Sequence, residues 1–232
     1  LAGGGNSVTI TGAADIDGAF SGLSTLSVRG TSNIGANVTT SGTQSYSGAV
    51  TVSAASTLST TNSDVTLGSS LTLADNLTIT TGAGAGDIAV TGTIDGAKAL
   101  SLSAGTGAIT LSGAVGQTTR LGALTLNSSG ATTLAQSVKA ASVTSNADGT
   151  LRINGGSVDT TGAQTYGDAI TLGANTTLTG TTVNTQSTLA GGNNALTITG
   201  AADIDGAFTG LTQLSITGAS NIGADITTTG TQ

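Results

Sequence analysis

The sequence repeats itself over a long distance, and this limits what it can fold into. Residues 1–44 return as residues 189–232 at an offset of 188 with no gap, and 32 of the 44 positions are identical. The longest shared run, TITGAADIDGAF, spans 9–20 and again 197–208. Changes at apolar positions are mild: Val8 becomes Leu196, Val28 becomes Ile216 and Val38 becomes Ile226. A shorter echo, at an offset of 120, relates residues 41–46 (SGTQSY) to 161–166 (TGAQTY), and 49–52 to 169–172. A long repeat that contains smaller degenerate ones points to stacked units. The chain therefore reads as one segment, 1–232, holding one long repeat, 1–188, and the start of the next, 189–232.

The local pattern is that of short strands. Apolar–polar–apolar dyads recur, among them Val8/Ile10, Leu26/Val28, Val65/Leu67, Leu77/Ile79, Leu100/Leu102, Ile109/Leu111, Leu151/Ile153 and Leu196/Ile198, mostly around a central Thr or Ser. Period two means a strand with one buried face, and β-branched Thr suits the other face. Gly, Asn, Asp and Ser between the dyads turn the chain. Helix is disfavoured by 37 Gly, abundant Thr and the absence of Met; all 12 acidic residues are Asp. If 188 residues hold eight or nine units, each has roughly 21–23 residues, too few for a helix-containing repeat.

The expected fold is all-β: a right-handed parallel β-helix of about 10–11 coils, each strand pairing with its equivalents above and below. The absence of Pro agrees, because an interior coil uses its N–H groups in ladders. Ile10, Val28, Val52, Ile79, Val90, Leu102, Leu111, Leu126, Ile153, Leu172 and Ile198 are expected in one buried column. Phe20 and Phe208 are expected in equivalent positions, as are Tyr46 and Tyr166. A narrow bore predicts all four aromatics at corners or outside.

Composition excludes several functions. With no Cys and no His there is no zinc finger, haem or iron–sulfur site, no Cys/His nucleophile and no disulfide framework. Five basic residues, four aromatics and a net charge of −7 argue against a nucleic-acid partner. No long apolar run predicts membrane insertion. No signal peptide is visible at the start, neither end shows a polar cap, and the chain reads as part of something longer.

Asp15 and Asp17 flank Ile16, so alternation puts both carboxylates on one side; the pair recurs as Asp203 and Asp205. These four are the candidates for a calcium site, or for the acid/base pair of a polysaccharide-cleaving enzyme. Their bland reading is turn chemistry, and the spacing lacks the later ligands of an EF-hand. The run GAGAGD at 82–87 resembles a nucleotide-binding loop, but a strand follows where a helix is needed, so a flexible corner is expected. The Thr-Ile-Thr triplets at 9–11, 78–80 and 197–199 would make an ice-binding plane only if stacked in register. Asn37, Asn76, Asn127 and Asn175 match the glycosylation acceptor pattern, which a chain this rich in Asn, Ser and Thr also produces by chance. No catalytic residue and no cofactor is expected.

The stretches GDIAVTGTIDG (86–96), AGTGAITLSGAV (104–115) and TTGAQTY (160–166) resemble the repeats of large bacterial surface β-helix proteins, the filamentous-haemagglutinin-like adhesins and autotransporter passenger domains. The resemblance covers essentially the whole chain. It implies secretion to the cell surface and a structural or adhesive segment of an extracellular fibre. The implied partners are further copies of the chain, joined or stacked end to end, with cell-surface glycans or neighbouring cells. A polysaccharide-binding or polysaccharide-cleaving β-helix is the alternative.

Overall fold

A computed structural model of the protein describes residues 1–232 and contains 28 strands and no helix. All strand pairings are parallel, and they trace three lines of inward-facing residues. The first face runs Val8, Leu26, Gln44, Val65, Ile88, Ile109, Thr132, Leu151, Ile170, Leu189, Phe208, Ile226. The second runs Ala14, Ser32, Val50, Leu71, Ile94, Val115, Val138, Val158, Leu178, Ile198, Ile216. The third runs Phe20, Val38, Leu58, Ile79, Leu102, Leu126, Ser145, Tyr166, Thr185, Ile204, Ile222. The protein is thus a parallel β-helix of about twelve turns.

The coils are shorter and more numerous than the repeat length implied. Val8 to Leu26 is a step of 18 residues, whereas Val65 to Ile88 is a step of 23. The longer middle coils carry extra residues at corners such as 60–64 and 81–87. Dividing the whole repeat evenly averaged the two kinds together.

The 18-residue coils consist of three hexads. Each hexad has an inward–outward–inward triplet and ends on a small residue: positions 12, 18, 24, 30, 36, 42, 48 and 54 hold Gly, Gly, Ser, Gly, Ala, Gly, Gly and Ala. Coils touch directly at these corners. A Cβ on Gly30 would lie 2.5 Å from the carbonyl of Gly12, a backbone atom one coil below.

Because all three faces use the same hexad, a block of sequence can sit on any of them. Along the first face, Val8 to Leu189 is nine rungs, and Leu196 lies seven residues further, on the second face. The 188-residue repeat therefore spans nine and one-third coils. Phe20 is on the third face and Phe208 on the first. Inside each copy the pairing is the same: Val8 with Leu26 becomes Leu196 with Leu214, and Phe20 with Val38 becomes Phe208 with Ile226. Backbone angles follow suit, with φ of 63° at Gly22 and 66° at Gly210. Phe20 and Phe208 are equivalent within their copies and one face apart in the molecule.

The expected inward residues are buried in a single core of 49 residues, except Ile10, which is half-buried on the first rung and packs against that core. They form three columns rather than one. Ile10, Val28, Val90, Leu111, Ile153 and Leu172 lie on the first face, Val52 and Ile198 on the second, and Ile79, Leu102 and Leu126 on the third.

The aromatics correct the expectation. Tyr46, Tyr166 and Phe208 are fully buried in the bore, and only Phe20, on the first rung of its face, is half-buried. Tyr166 finds room between Ser145 below and Thr185 above, both small. Each phenol is also satisfied. Tyr46 donates to Gln44 Oε1 at 3.0 Å, and Tyr166 to Gln164 Oε1 at 2.8 Å. Gln44 Nε2 donates to Val38 O, Thr40 Oγ1 and, at 2.8 Å, Ser59 O of the next coil. Gln164 repeats the set with Val158 O, Thr160 Oγ1 and, again at 2.8 Å, Thr179 O. A buried polar group with its partners in place is tolerated where a lone one is not.

Burial pushes both phenols far above the ordinary tyrosine range. Groups raised in the folded state stabilise it fully below their unfolded pKa, about 10, and that contribution is lost as the pH rises beyond it. Alkaline titration should therefore show tyrosinate absorbance and loss of β-sheet circular dichroism rising together above pH ~10. Two tyrosines ionising at ordinary pH with the sheet signal intact would contradict the burial.

Candidate functional site

The four predicted aspartates do not converge. Asp15 lies outward in Ala14–Ile16 on the second face, and Asp203 on the third, near the far end. Asp15 Oδ1 accepts from Asn33 Nδ2 at 2.7 Å, one coil up. Both oxygens of Asp203 are taken, by Asn184 and Asn221 at 2.8 Å from the coils below and above. Asp17 is exposed and sits against Gly35. Asp205 is also exposed. No group of three or more acidic side chains gathers anywhere to hold a metal ion. The Asn–Asp pairs are side-chain rungs that tie coil to coil on the outer surface. A shallow depression lies over Asp15, Asn33 and Thr51, walled by Ala13 and Ala49.

Other Asx side chains do related work. Asn37, Asp64, Asn76, Asp87 and Asn175 each stand just before an inward residue. Each accepts, through Oδ1, the backbone N–H one coil up: Thr57, Asp87, Ala99, Ala108 and Ala195, at 2.7–2.9 Å. Three of the four glycosylation-pattern asparagines thus have a structural role. The glycine run at 82–87 is held rather than loose. Gly84 N–H donates to Asn62 Oδ1 at 2.6 Å, and Thr81 Oγ1 donates to Gly86 O at 2.7 Å. No phosphate-cradling helix follows it, only the strand Ile88–Val90.

The three Thr-Ile-Thr triplets occupy three different faces: Thr9 the first, Thr78 the third, Thr197 the second. They form no common plane. The one ion pair spans coils: Arg120 reaches Asp159 Oδ2 at 2.7 Å and donates also to the carbonyls of Ala140 and Asp159. One guanidinium thereby clamps three successive coils.

Asp168, which the sequence did not single out, is the buried acidic residue. Its Oδ1 accepts from Gly149 N–H at 2.9 Å, while Oδ2 has no partner. Burial raises its carboxyl above the ordinary carboxylate range; hydrogen bonds from Gly149 and Ser145 oppose this and the nearby Asp148 charge adds to it. A raised carboxyl contributes stability below its unfolded pKa and loses it as the pH climbs, so Asp168 weakens the fold at neutral pH. Asp168→Asn keeps an oxygen for Gly149 and removes the buried charge. It should melt higher than the wild type at pH ~7, with the gap closing as the pH falls toward ~4. A lower melting temperature for the variant at neutral pH would show that the carboxylate is needed.

Comparison with protein-family models, with curated proteins and with solved structures gives no match for this chain.

Proposed function

We propose that this chain is a stiff structural or adhesive segment of an extracellular bacterial surface fibre, a rod that stacks or continues end to end and presents Thr, Ser and Asn to its surroundings. One observation carries the reading. The 44-residue block is kept at 32 positions while its orientation changes by one face. A catalytic or ligand site needs fixed neighbours and a fixed direction. A block retained in two orientations serves what both share, namely building coils. The outer Asn–Asp rungs and the Arg120 clamp support it, since both reinforce the rod along its axis. Each 188-residue unit adds nine and one-third coils, or about 45 Å of rod at ~4.8 Å per coil.

Electron microscopy of the native, full-length material tests this. Fibres with an axial period of about 45 Å are expected. Compact particles of uniform size would overturn it. The polysaccharide reading draws on the polar depression at Asp15, Asn33 and Thr51; glycan binding lost on Asp15→Ala, in material that forms no fibre, would favour it instead.

A further inference from the structure

The chain contains a single Asn–Gly step, Asn154–Gly155, and it stands just past the strand Thr150–Ile153 at a corner of the rod. Such a step is open to attack by its own backbone. The glycine nitrogen closes on the side-chain amide carbon, and no Cβ stands in its way. In a folded protein this needs a nitrogen that is not already held, and a donor for the charge that collects on the amide oxygen.

This corner has both. Gly155 N–H donates to nothing in the fold, whereas Asn154 N–H is held by Leu134 O at 2.9 Å and Gly173 N–H by Ile153 O at 2.8 Å. Arg152 Nε donates to Asn154 Oδ1 at 2.8 Å. Arg152 stands between Thr133 below and Thr171 above and has no carboxylate partner, so its guanidinium is committed to the amide. The related Asp–Gly steps differ. In Asp95–Gly96 and Asp148–Gly149 the glycine N–H is taken, by Thr119 O at 3.2 Å and by Asp168 Oδ1 at 2.9 Å. Asp17–Gly18 and Asp205–Gly206 present a carboxylate, which resists attack, and no arginine pairs with it.

We propose that Asn154–Gly155 is a self-modification site, where asparagine converts to aspartate and isoaspartate through a cyclic imide with Arg152 as the oxyanion donor. The Gly155 nitrogen gives its proton to solvent and bonds to Asn154 Cγ. The carbonyl electron pair moves onto Oδ1, where the guanidinium holds it. It returns as the Cγ–Nδ2 bond breaks, and ammonia leaves with a proton from water. Water then opens the imide at either carbonyl, giving an aspartyl or an isoaspartyl link. Water is consumed and ammonia released in equal amounts. The isoaspartyl product adds a carbon to the main chain at a corner without slack. A Cβ on Gly155 would lie 2.0 Å from the carbonyl carbon of Gln136 in the coil below, and one on Gly173, in the coil above, 2.0 Å from Asn154 Oδ1. The coils bearing Leu134, Ile153 and Leu172 must part to admit it. This inference goes beyond the rod reading and does not rest on it.

The experiment ages the full chain at mildly alkaline pH in heavy-oxygen water and maps it by peptide mass spectrometry, beside the same chain unfolded in urea. The folded chain should convert at Asn154 ahead of every other asparagine, with heavy oxygen in the new carboxyl and isoaspartate among the products. Conversion in the unfolded chain alone would show that the corner shields the amide, and would overturn the proposal. Arg152→Met removes the donor from an exposed side chain and keeps the Asn–Gly step. It should slow conversion in the folded chain at least about threefold and leave the unfolded rate unchanged. An equal or faster rate in the folded variant would remove Arg152 from the reaction. Amide exchange at Ile153 and Leu172 should quicken in the aged protein but not in Asn154→Asp, which adds the charge without the extra carbon. Unchanged exchange in aged protein rich in isoaspartate would overturn the parting of the coils.

Discussion

Leu111→Ala should cost roughly 2–5 kcal/mol and loosen the coils on both sides of it. Leu111 is on the first face, 1 % exposed, with Val90 directly below and Leu134 directly above. Truncation leaves a cavity that the neighbours cannot easily fill, because each is fixed by ladder bonds to the coil beyond. Thr110 and Ser112 on either side belong to rungs whose N–H and C=O groups are used along the axis. The bore is only three strands around, so each inward side chain is a large share of its rung. In a one-dimensional stack, damage to one unit is felt through its two interfaces. Hydrogen exchange should therefore speed up most at Ile88–Val90, Ile109–Leu111 and Ala131–Leu134, and least at the two ends. A variant whose exchange rises evenly over the whole chain, or only at the ends, would show that coils do not hold one another in this way.

How much of this was legible before the fold was known differs by feature. The dyads identified the strands and their inward residues, because period two has one structural meaning when turn residues separate the repeats. The hexad was also present, in the small residues at every sixth position from 12 to 54. Counting coils across the whole repeat hid it, since the corner insertions at 60–64 and 81–87 break the spacing. Size alone misplaces the tyrosines, which are buried in the bore. The missing term was the glutamine two residues earlier, which satisfies the phenol, and the small residues 21 residues before and 19 after Tyr166, which only the register reveals.

The aspartate pair is a candidate in the sequence only because its two carboxylates share a side. Its actual partners, Asn33 and Asn221, are 18 residues from Asp15 and Asp203. That distance means nothing until one coil is known to have 18 residues. The corner rule for Asx has a sequence signal after the fact: Asn or Asp directly before an inward residue, as at Asn37, Asp64, Asn76, Asp87 and Asn175. Asp168 has none. Its burial arises from how its corner packs against Gly149 and Ser145 one coil below.

The interchangeable hexad leads to the other large effect. Deleting residues 31–36, one hexad, should leave a folded protein, whereas deleting residues 31–33 should unfold its first coils. After the six-residue deletion Gly30 joins Asn37, and Val38 and Thr40 take the inward places of Ser32 and Ile34 above Ala14 and Ile16. Inward residues stay inward, and residues 1–30 simply turn by one face against the rest, as the two copies of the 44-residue block already do. The loss is one buried Ile and the Asn33–Asp15 bond, about 2–5 kcal/mol. After the three-residue deletion, Gly35, Asn37, Ser41 and Thr43 fall on the inward places of 32, 34, 38 and 40. A shift by an odd number exchanges the two sides of a strand, so the bore would be lined with polar and small residues. Amide protection at Leu26–Val28 should survive the first deletion and vanish in the second, while residues beyond 65 keep theirs in both. If the six-residue deletion were as damaging as the three-residue one, the three faces would not be equivalent, and the rotated copy of residues 1–44 would need another cause.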